Sequence, residues 1–249
     1  MKKDRIKSWA ILAGLIIVFI IIISNMKWWE TFLHFFFPNE TTVIYPRVSL
    51  ITMLNEHIKL VAISSTLTIA VGVPIGVMVT RPSGKDFIEV TNSLISIGQT
   101  FPPVAVLALA VPVFGFGFIP TIIALFLYGL LPVVRNTIAG LKSVPEHILD
   151  SAYGLGMSRI QALFRIELPL SSKVIIAGIR ISVIINIGTA MIGAVIGAGG
   201  LGSPIIAGLV QDNIAYIIEG VVPAAFLAIL VDRFFSNIES LFIYGLDLN

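Results

Sequence analysis

The chain has 249 residues, of which 57% are hydrophobic and 12% charged, a formal net charge of +2 and a mean hydropathy of +0.99. So apolar a composition excludes a soluble domain and points to an integral membrane protein, with lipid and not nucleic acid as its surroundings. Cysteine is absent, which removes a disulfide framework and a thiolate metal site from consideration.

A helix needs about 20 apolar residues to cross about 30 Å of hydrocarbon. Six stretches meet that need: 9–24, 54–80, 88–113, 119–141, 174–196 and 213–231. No run reads as a strand, so the expected fold is an all-α polytopic bundle of six transmembrane helices. Lys and Arg stay on the cytoplasmic side of short loops. Lys2, Lys3, Arg5 and Lys7 precede the first span, Arg81 and Lys85 follow the second, Arg135, Lys142, Arg159, Arg165 and Lys173 surround the long loop after the fourth, and Arg233 follows the sixth. Lys27, Arg47 and Lys59 fall on the other side. Both termini and the 142–173 loop are therefore expected in the cytoplasm, with no soluble domain appended at either end.

The basic start followed by an apolar run has the form of a signal peptide, but Ser24, Asn25, Met26 and Lys27 offer no small-x-small cleavage site, so an uncleaved anchor is expected. Trp28, Trp29, Phe32, Phe35 and Phe36 then read as an aromatic belt at the outer interface. Residues 1–53 form one region, the first span and this aromatic segment; residues 54–249 form the transmembrane core. In the second span Gly72 and Gly76, spaced around Pro74, form a small-x-x-x-small surface that serves either close helix packing or a flexible point in gating. Pro102 and Pro103 in the third span should open backbone to a cavity beside Phe101.

Ionisable residues inside spans are costly and thus functional candidates. Glu219 in the last span would either draw a cation into a pathway or pair with a polar neighbour; Arg180 in the fifth is expected to snorkel to the cytoplasmic face. His34, His57 and His147 lack any metal-ligand spacing, and no nucleophile, base and orienter can be assembled, so neither a metal site nor catalytic residues are expected. Nor is a cofactor or bound nucleotide: Gly84-Lys85 has Val79 and Asp86 where a phosphate loop needs Gly and Ser or Thr. Gly197-Ala-Gly199-Gly200-Leu-Gly202 formally fits G-x-G-x-x-G, but it follows a membrane helix where a dinucleotide fold would have a strand; its glycines read as a sharp turn with close backbone packing.

The long loop is the most specific segment. Ser143 and Glu146 have the spacing of a capping box, Pro145 suits a first turn, Gly156 supplies a left-handed stop, Ser158 can cap a second short helix carrying Ile160, Leu163 and Phe164, and Pro169 should end it. Asp150, Ser151 and Ala152, then Gly156, then Ile166, Leu168 and Pro169 also follow a known pattern: the stretch resembles the EAA loop of ABC importer permeases, with Asp for the usual Glu and Ser for the first Ala. The resemblance implies a type I ABC importer permease-like fold and assigns those seven residues to coupling with a cytoplasmic ATPase.

Two further stretches narrow the resemblance. Residues 196–204, I-G-A-G-G-L-G-S-P, are similar to a segment of permeases for quaternary-amine osmoprotectants and more loosely of methionine-type amino-acid importers. Residues 125–137, L-F-L-Y-G-L-L-P-V-V-R-N-T, are similar to the matching span of glycine betaine, carnitine and choline permeases. The partners so implied are two cytoplasmic ATPase subunits, a second permease that is the same chain or a paralogue, and an extracellular substrate-binding protein. A gradient-driven transporter or channel is the rival from another class. Quaternary ammonium groups bind over aromatic faces, so Phe101 beside Pro102, Phe114, Phe116, Phe118, Tyr128 and Tyr216 are pathway candidates, with Glu219.

Overall fold

The structure is a computed structural model that describes residues 2–246, with side chains for 5–84 and 86–242; the side chains of Lys2, Lys3 and Lys85, and residues 247–249, lie outside this description. It is all helical among the described residues. Helix α1 (Lys2–Ser24) leads into α2 (Met26–Phe36), an extended strap (37–49) and α3 (Leu50–Thr80); α4 (Ile88–Thr100) and α5 (Pro103–Phe114) follow, then α6 (Phe118–Lys142), the short α7 (Glu146–Gly154) and α8 (Arg159–Ala162), α9 (Leu168–Ala190), α10 (Gly202–Gln211) and α11 (Ile214–Leu246). Five of these are long and apolar enough to cross a membrane, and a sixth crossing exists if α4 and α5 count as one span.

In that pair the helix breaks beside Phe101, as Pro102 and Pro103 inside the third expected span imply. Helices α4 and α5 meet at 90°. Phe101 precedes a proline and is held extended at φ −74°, ψ 132°, because the Pro102 ring disfavours the helical region for the residue before it. The fifth span is likewise helical only to Ala190, continuing as a 3₁₀ turn through Met191–Ile196. Helix α10, a short apolar segment outside the six expected spans, then folds back before α11 begins.

The core is the packing of α3, α6 and α9, brought close by small side chains. A Cβ on Gly76 would stand 2.6 Å from Thr137 Cβ, and one on Gly129 would stand 2.6 Å from Ser182 Oγ. The Gly72 and Gly76 surface thus packs on α6. Small hydroxyl residues at this seam return their donors to the chain, as when Thr68 Oγ1 donates to Ser64 O at 2.8 Å, while Asn186 Nδ2 bridges to Ser65 Oγ at 3.2 Å. The contact order makes α3 parallel to α6 and antiparallel to α9, so the C-terminal ends of α3 and α6 and the start of α9 gather at one end, which carries the 142–173 loop.

Helix α1 lies along α11, outside that core. Phe19 stacks on Phe226 at 5.2 Å, Trp9 meets Phe234 edge-on at 6.2 Å, and Ser8 Oγ donates to Asn237 Oδ1 at 2.5 Å. Helix α2 is capped by Asn25, whose side chain accepts from the Trp28 N–H. It corrects the simple aromatic belt: Trp28, Phe32, Phe35 and Phe36 are exposed, but Trp29 is buried with Leu33 and Val43 against Ala215. Arg180 bonds Asp232 at 2.6 Å and approaches Glu239 at 3.4 Å, tying α9 to α11.

Candidate functional site

The 142–173 loop folds into a compact two-helix knob. Its entry differs from the capping box read in the sequence: Ser143 Oγ donates back to Gly140 O at 2.7 Å as α6 ends, and α7 starts after Pro145, which makes no side-chain cap. The exit of α7 is a Schellman ending, with Gly156 N–H donating to Tyr153 O at 2.9 Å and Met157 N–H to Ala152 O at 3.1 Å. Gly156 takes φ +82°, the left-handed conformation this ending requires. Ser158 then opens α8 with a reciprocal box: Gln161 N–H donates to Ser158 Oγ at 3.3 Å and Ser158 N–H to Gln161 Oε1 at 2.9 Å.

Pro169 does not end this second helix. Helix α8 runs through a π-helical turn, Leu163–Glu167, straight into α9, and Pro169 stands directly after that turn, where the helical ladder already departs from the regular i→i−4 pattern. Of the motif residues, Ala152 is buried, Ile166 and Leu168 are half-buried, and Asp150, Ser151, Gly156 and Pro169 face outward. The knob also presents Leu155, Ile160 and Phe164 at 81%, 70% and 65% exposure, with Tyr153 beside them. Three large apolar side chains are thus left exposed on a capped knob.

Two residues that the sequence reading passed over anchor the knob. Arg81, just past α3, forks onto Glu167 in the π-turn, Nη1 to Oε1 at 2.8 Å and Nη2 to Oε2 at 2.6 Å. Glu167 is 4% exposed, and its hydrogen bonds raise the Arg81 pKa above the ordinary value. A hollow of about 510 Å³ lies beside this pair, lined by Arg81, Pro82, Tyr153, Met157, Ser158 and Arg159. The available signals were an acid inside the apolar Ile166-Glu167-Leu168-Pro169 run and an arginine directly before Pro82.

At the opposite end of α3 the glycine turn is assembled. Gly197, Gly199 and Gly200 take φ of +77°, +77° and +79°. Gly200 N–H donates to Glu56 Oε2 at 2.9 Å, and His57 Nε2 lies 3.1 Å from Ile187 O, to which it donates. Both Glu56 and His57 belong to the second turn of α3, so one helix turn holds both the glycine turn and the end of α9. His57 is fully buried within α3.

The pathway candidates do not converge. Phe101 lines a hollow of about 350 Å³ with Gly98, Val106, Leu109, Ala110 and Leu127 at the bend between α4 and α5. Pro102 makes that bend, and the carbonyl of buried Tyr128 accepts from Gln99 Nε2 of α4 at 2.6 Å. Phe114, Phe116 and Phe118 are exposed around the turn from α5 to α6. Tyr216 and Glu219 lie elsewhere, clamping the strap: Tyr216 Oη shares a hydrogen bond with Thr42 Oγ1 at 2.7 Å, Asn213 Nδ2 donates to Thr42 O at 2.8 Å, and Tyr45 N–H donates to Glu219 Oε2 at 2.7 Å. Glu219 is completely buried. Among the described residues no cluster of three or more His, Asp or Glu is placed to hold a metal ion.

Comparison with known proteins agrees with this geometry. Residues 72–242 match the family described as binding-protein-dependent transport system inner membrane component. The osmoprotectant import permease protein OsmY of Salmonella typhimurium is 41% identical over 186 residues, 75% of this chain and 79% of that protein. The choline transport system permease protein OpuBB of Bacillus subtilis is 42% identical over 177 residues, covering 71% and 81% of the two chains, and the glycine betaine/carnitine/choline transport system permease protein OpuCB of the same organism is 42% identical over 178 residues, covering 72% and 81%. Among solved structures the fold is shared with an inward-facing MetNI methionine ABC transporter, at TM-score 0.68 and 20% identity over 78% of this chain and 95% of that one. A family match over most of the chain, carried on a bundle with this loop, makes the protein a bacterial inner-membrane permease of the binding-protein-dependent ABC transport family, a membrane component without catalytic activity of its own.

Proposed function

We propose that the chain is the permease of an ATP-driven importer for quaternary-amine osmoprotectants such as glycine betaine, choline and carnitine. The observation that carries this reading is the knob: a stiff, doubly capped projection that exposes Leu155, Ile160 and Phe164 and runs without a break into a transmembrane helix. The family requires a membrane, an ATPase and a binding protein. We assign the knob to the ATPase, with Asp150, Ser151, Ala152, Gly156, Ile166, Leu168 and Pro169 as its coupling residues. The substrate class rests on the names of the relatives.

In this reading α4 and α5 together form one of six spans, and both termini lie in the cytoplasm with the knob. Two permeases, identical or paralogous, frame the pathway, two ATPases close beneath them, and the binding protein delivers solute from outside. Residues 54–249 form the transport core and residues 1–53 an accessory region. Phe101, Pro102, Phe114, Phe116 and Tyr128, on or beside the bent α4 and α5 pair, face the pathway. The turn at Gly197, Gly199, Gly200 and Gly202 shapes its outer end. Glu219 serves as a strut for the strap, a role its bond to the Tyr45 backbone supports.

The test is gentle purification of the tagged chain from its native membrane, followed by identification of associated proteins and uptake of labelled betaine. A co-purifying ATPase, and uptake that unlabelled choline or carnitine suppresses while methionine does not, is the expected result. Suppression by methionine alone would shift the assignment to an amino-acid importer. A chain that repeatedly emerges alone from well-folded preparations would overturn the importer reading.

A further inference from the structure

We infer that Arg81 and Glu167 are a pair of positioning residues that clamp α3 to the coupling loop, so that α3 transmits movement of the knob to the glycine turn at the other end of the protein. This deepens the importer reading and rests on it. The pair has the geometry for the task. A guanidinium that forks onto a carboxylate through two hydrogen bonds fixes orientation as well as distance, which a single ion contact does not. The bonds are 2.8 and 2.6 Å, and Glu167 is almost wholly buried.

Its place in the fold is equally specific. Glu167 closes the π-turn through which the knob becomes α9. A π-turn is a local departure from the α-helical ladder, found often where a helix serves a function. Arg81 is the residue directly after α3, and the helix below it is wedged along α6 by Gly72 and Gly76. Roughly 37 Å farther along the same helix, at about 1.5 Å per residue, stand Glu56 and His57. These grip Gly200 N–H and Ile187 O. One rod thus carries a directional bond to the knob at one end and a directional bond to the glycine turn at the other.

The ends are also linked through α9, which starts at the π-turn and stops just before the 3₁₀ segment leading to the glycine turn. Two antiparallel helices cross-tied at both ends move as one body, whereas α9 alone would leave α3 free to lag behind the knob. Spatial continuity by itself does not establish coupling, so the test must separate transmission from folding.

Three variants of the full complex, reconstituted with its ATPase and binding protein, make that separation. Arg81→Gln leaves the buried Glu167 carboxylate unpaired and is expected to lower both thermal stability and uptake. The double variant Arg81→Met with Glu167→Met replaces the pair by apolar groups of similar size, a change that often leaves folding intact. It is expected to assemble with the ATPase and to hydrolyse ATP, yet to lose about tenfold or more of betaine uptake per ATP hydrolysed, within the range of ordinary coupling free energies between sites. The exchange Arg81→Glu with Glu167→Arg is expected to regain part of that ratio.

Uptake per ATP equal to the parent in the Met pair would overturn the inference, since a mere structural contact is then sufficient. Failure of the Met pair to assemble would overturn it too, because the residues would be folding elements and nothing more. If instead the parent chain lacks an ATPase altogether, the importer reading itself falls, which the purification detects before any variant is made.

Discussion

Two of the protein's turns that use positive-φ glycine, at Gly156 and at 197–202, differ in what the glycine is for. Around Gly156 space is open: a Cβ there would meet nothing within 4 Å, so the residue is needed only for its φ of +82°. Around Gly199, Gly200 and Gly202 space is absent, although Gly197 at the start of the same turn is open. A Cβ on Gly199 would strike the carboxylate of Glu56, one on Gly200 would stand 3.2 Å from His57 Nδ1, and one on Gly202 would fall on the carbonyl oxygen of Met191. The first turn stands open and, in the function proposed, faces the ATPase; the second is packed against the chain itself at Gly199, Gly200 and Gly202. A short glycine-containing motif therefore says little about its energetics until its neighbours are known.

Gly202→Ala tests the locked side most severely. The added methyl meets backbone that cannot swing away, so the loss should reach or exceed the upper end of the about 1–3 kcal/mol typical of overpacking. Thermal unfolding in detergent should reveal it, and a melting temperature equal to the parent's would break the comparison. Gly199→Ala should cost somewhat less, roughly 2 kcal/mol, because left-handed strain of about 1–2 kcal/mol adds to a clash with the movable end of Glu56. Combining it with Glu56→Ala should recover part of the loss; the Gly200 N–H then lacks its acceptor, so recovery should stay incomplete.

On the open side, Gly156→Val places a β-branched residue at positive φ and should destabilise by about 1–2 kcal/mol while abolishing uptake, since the Schellman ending that orients α8 is lost. Normal ATP-driven uptake by well-expressed protein would contradict the assigned role of the knob. Leu155→Ser should have the smallest effect on folding, within about 0.5 kcal/mol, as expected for a surface site. It should nevertheless weaken retention of the ATPase on the tagged chain. Undiminished retention would mean that the exposed apolar face is not the docking surface.

What could be read from the residues was mainly what is local. The helix stop at Gly156 and the start at Ser158 depend on backbone conformation and on a side chain reaching backbone within a few positions, and the apolar lengths of the spans follow from composition. Local rules also misled where two of them competed. Ser143 had the spacing of a capping box, but α6 had not yet ended, and its hydroxyl serves the last turn of that helix. Pro169 looked like a terminator, yet it follows a π-helical turn and the helix continues through it. Apolarity alone could not see the bend at Phe101, because the two halves taken together pass as one apolar span.

The chain's order of residues was enough for the membrane setting, the approximate spans and the knob with its left-handed glycine, since hydrophobic length and backbone capping act over one helix turn or one bilayer thickness. The pairing of Arg81 with Glu167, of Arg180 with Asp232, and of Glu56 with Gly200 came only from the folded bundle. These partners are 86, 52 and 144 positions apart. No local rule links such residues; they meet because the small-residue faces of α3, α6 and α9 choose one another, and that choice is made by close packing across the whole core.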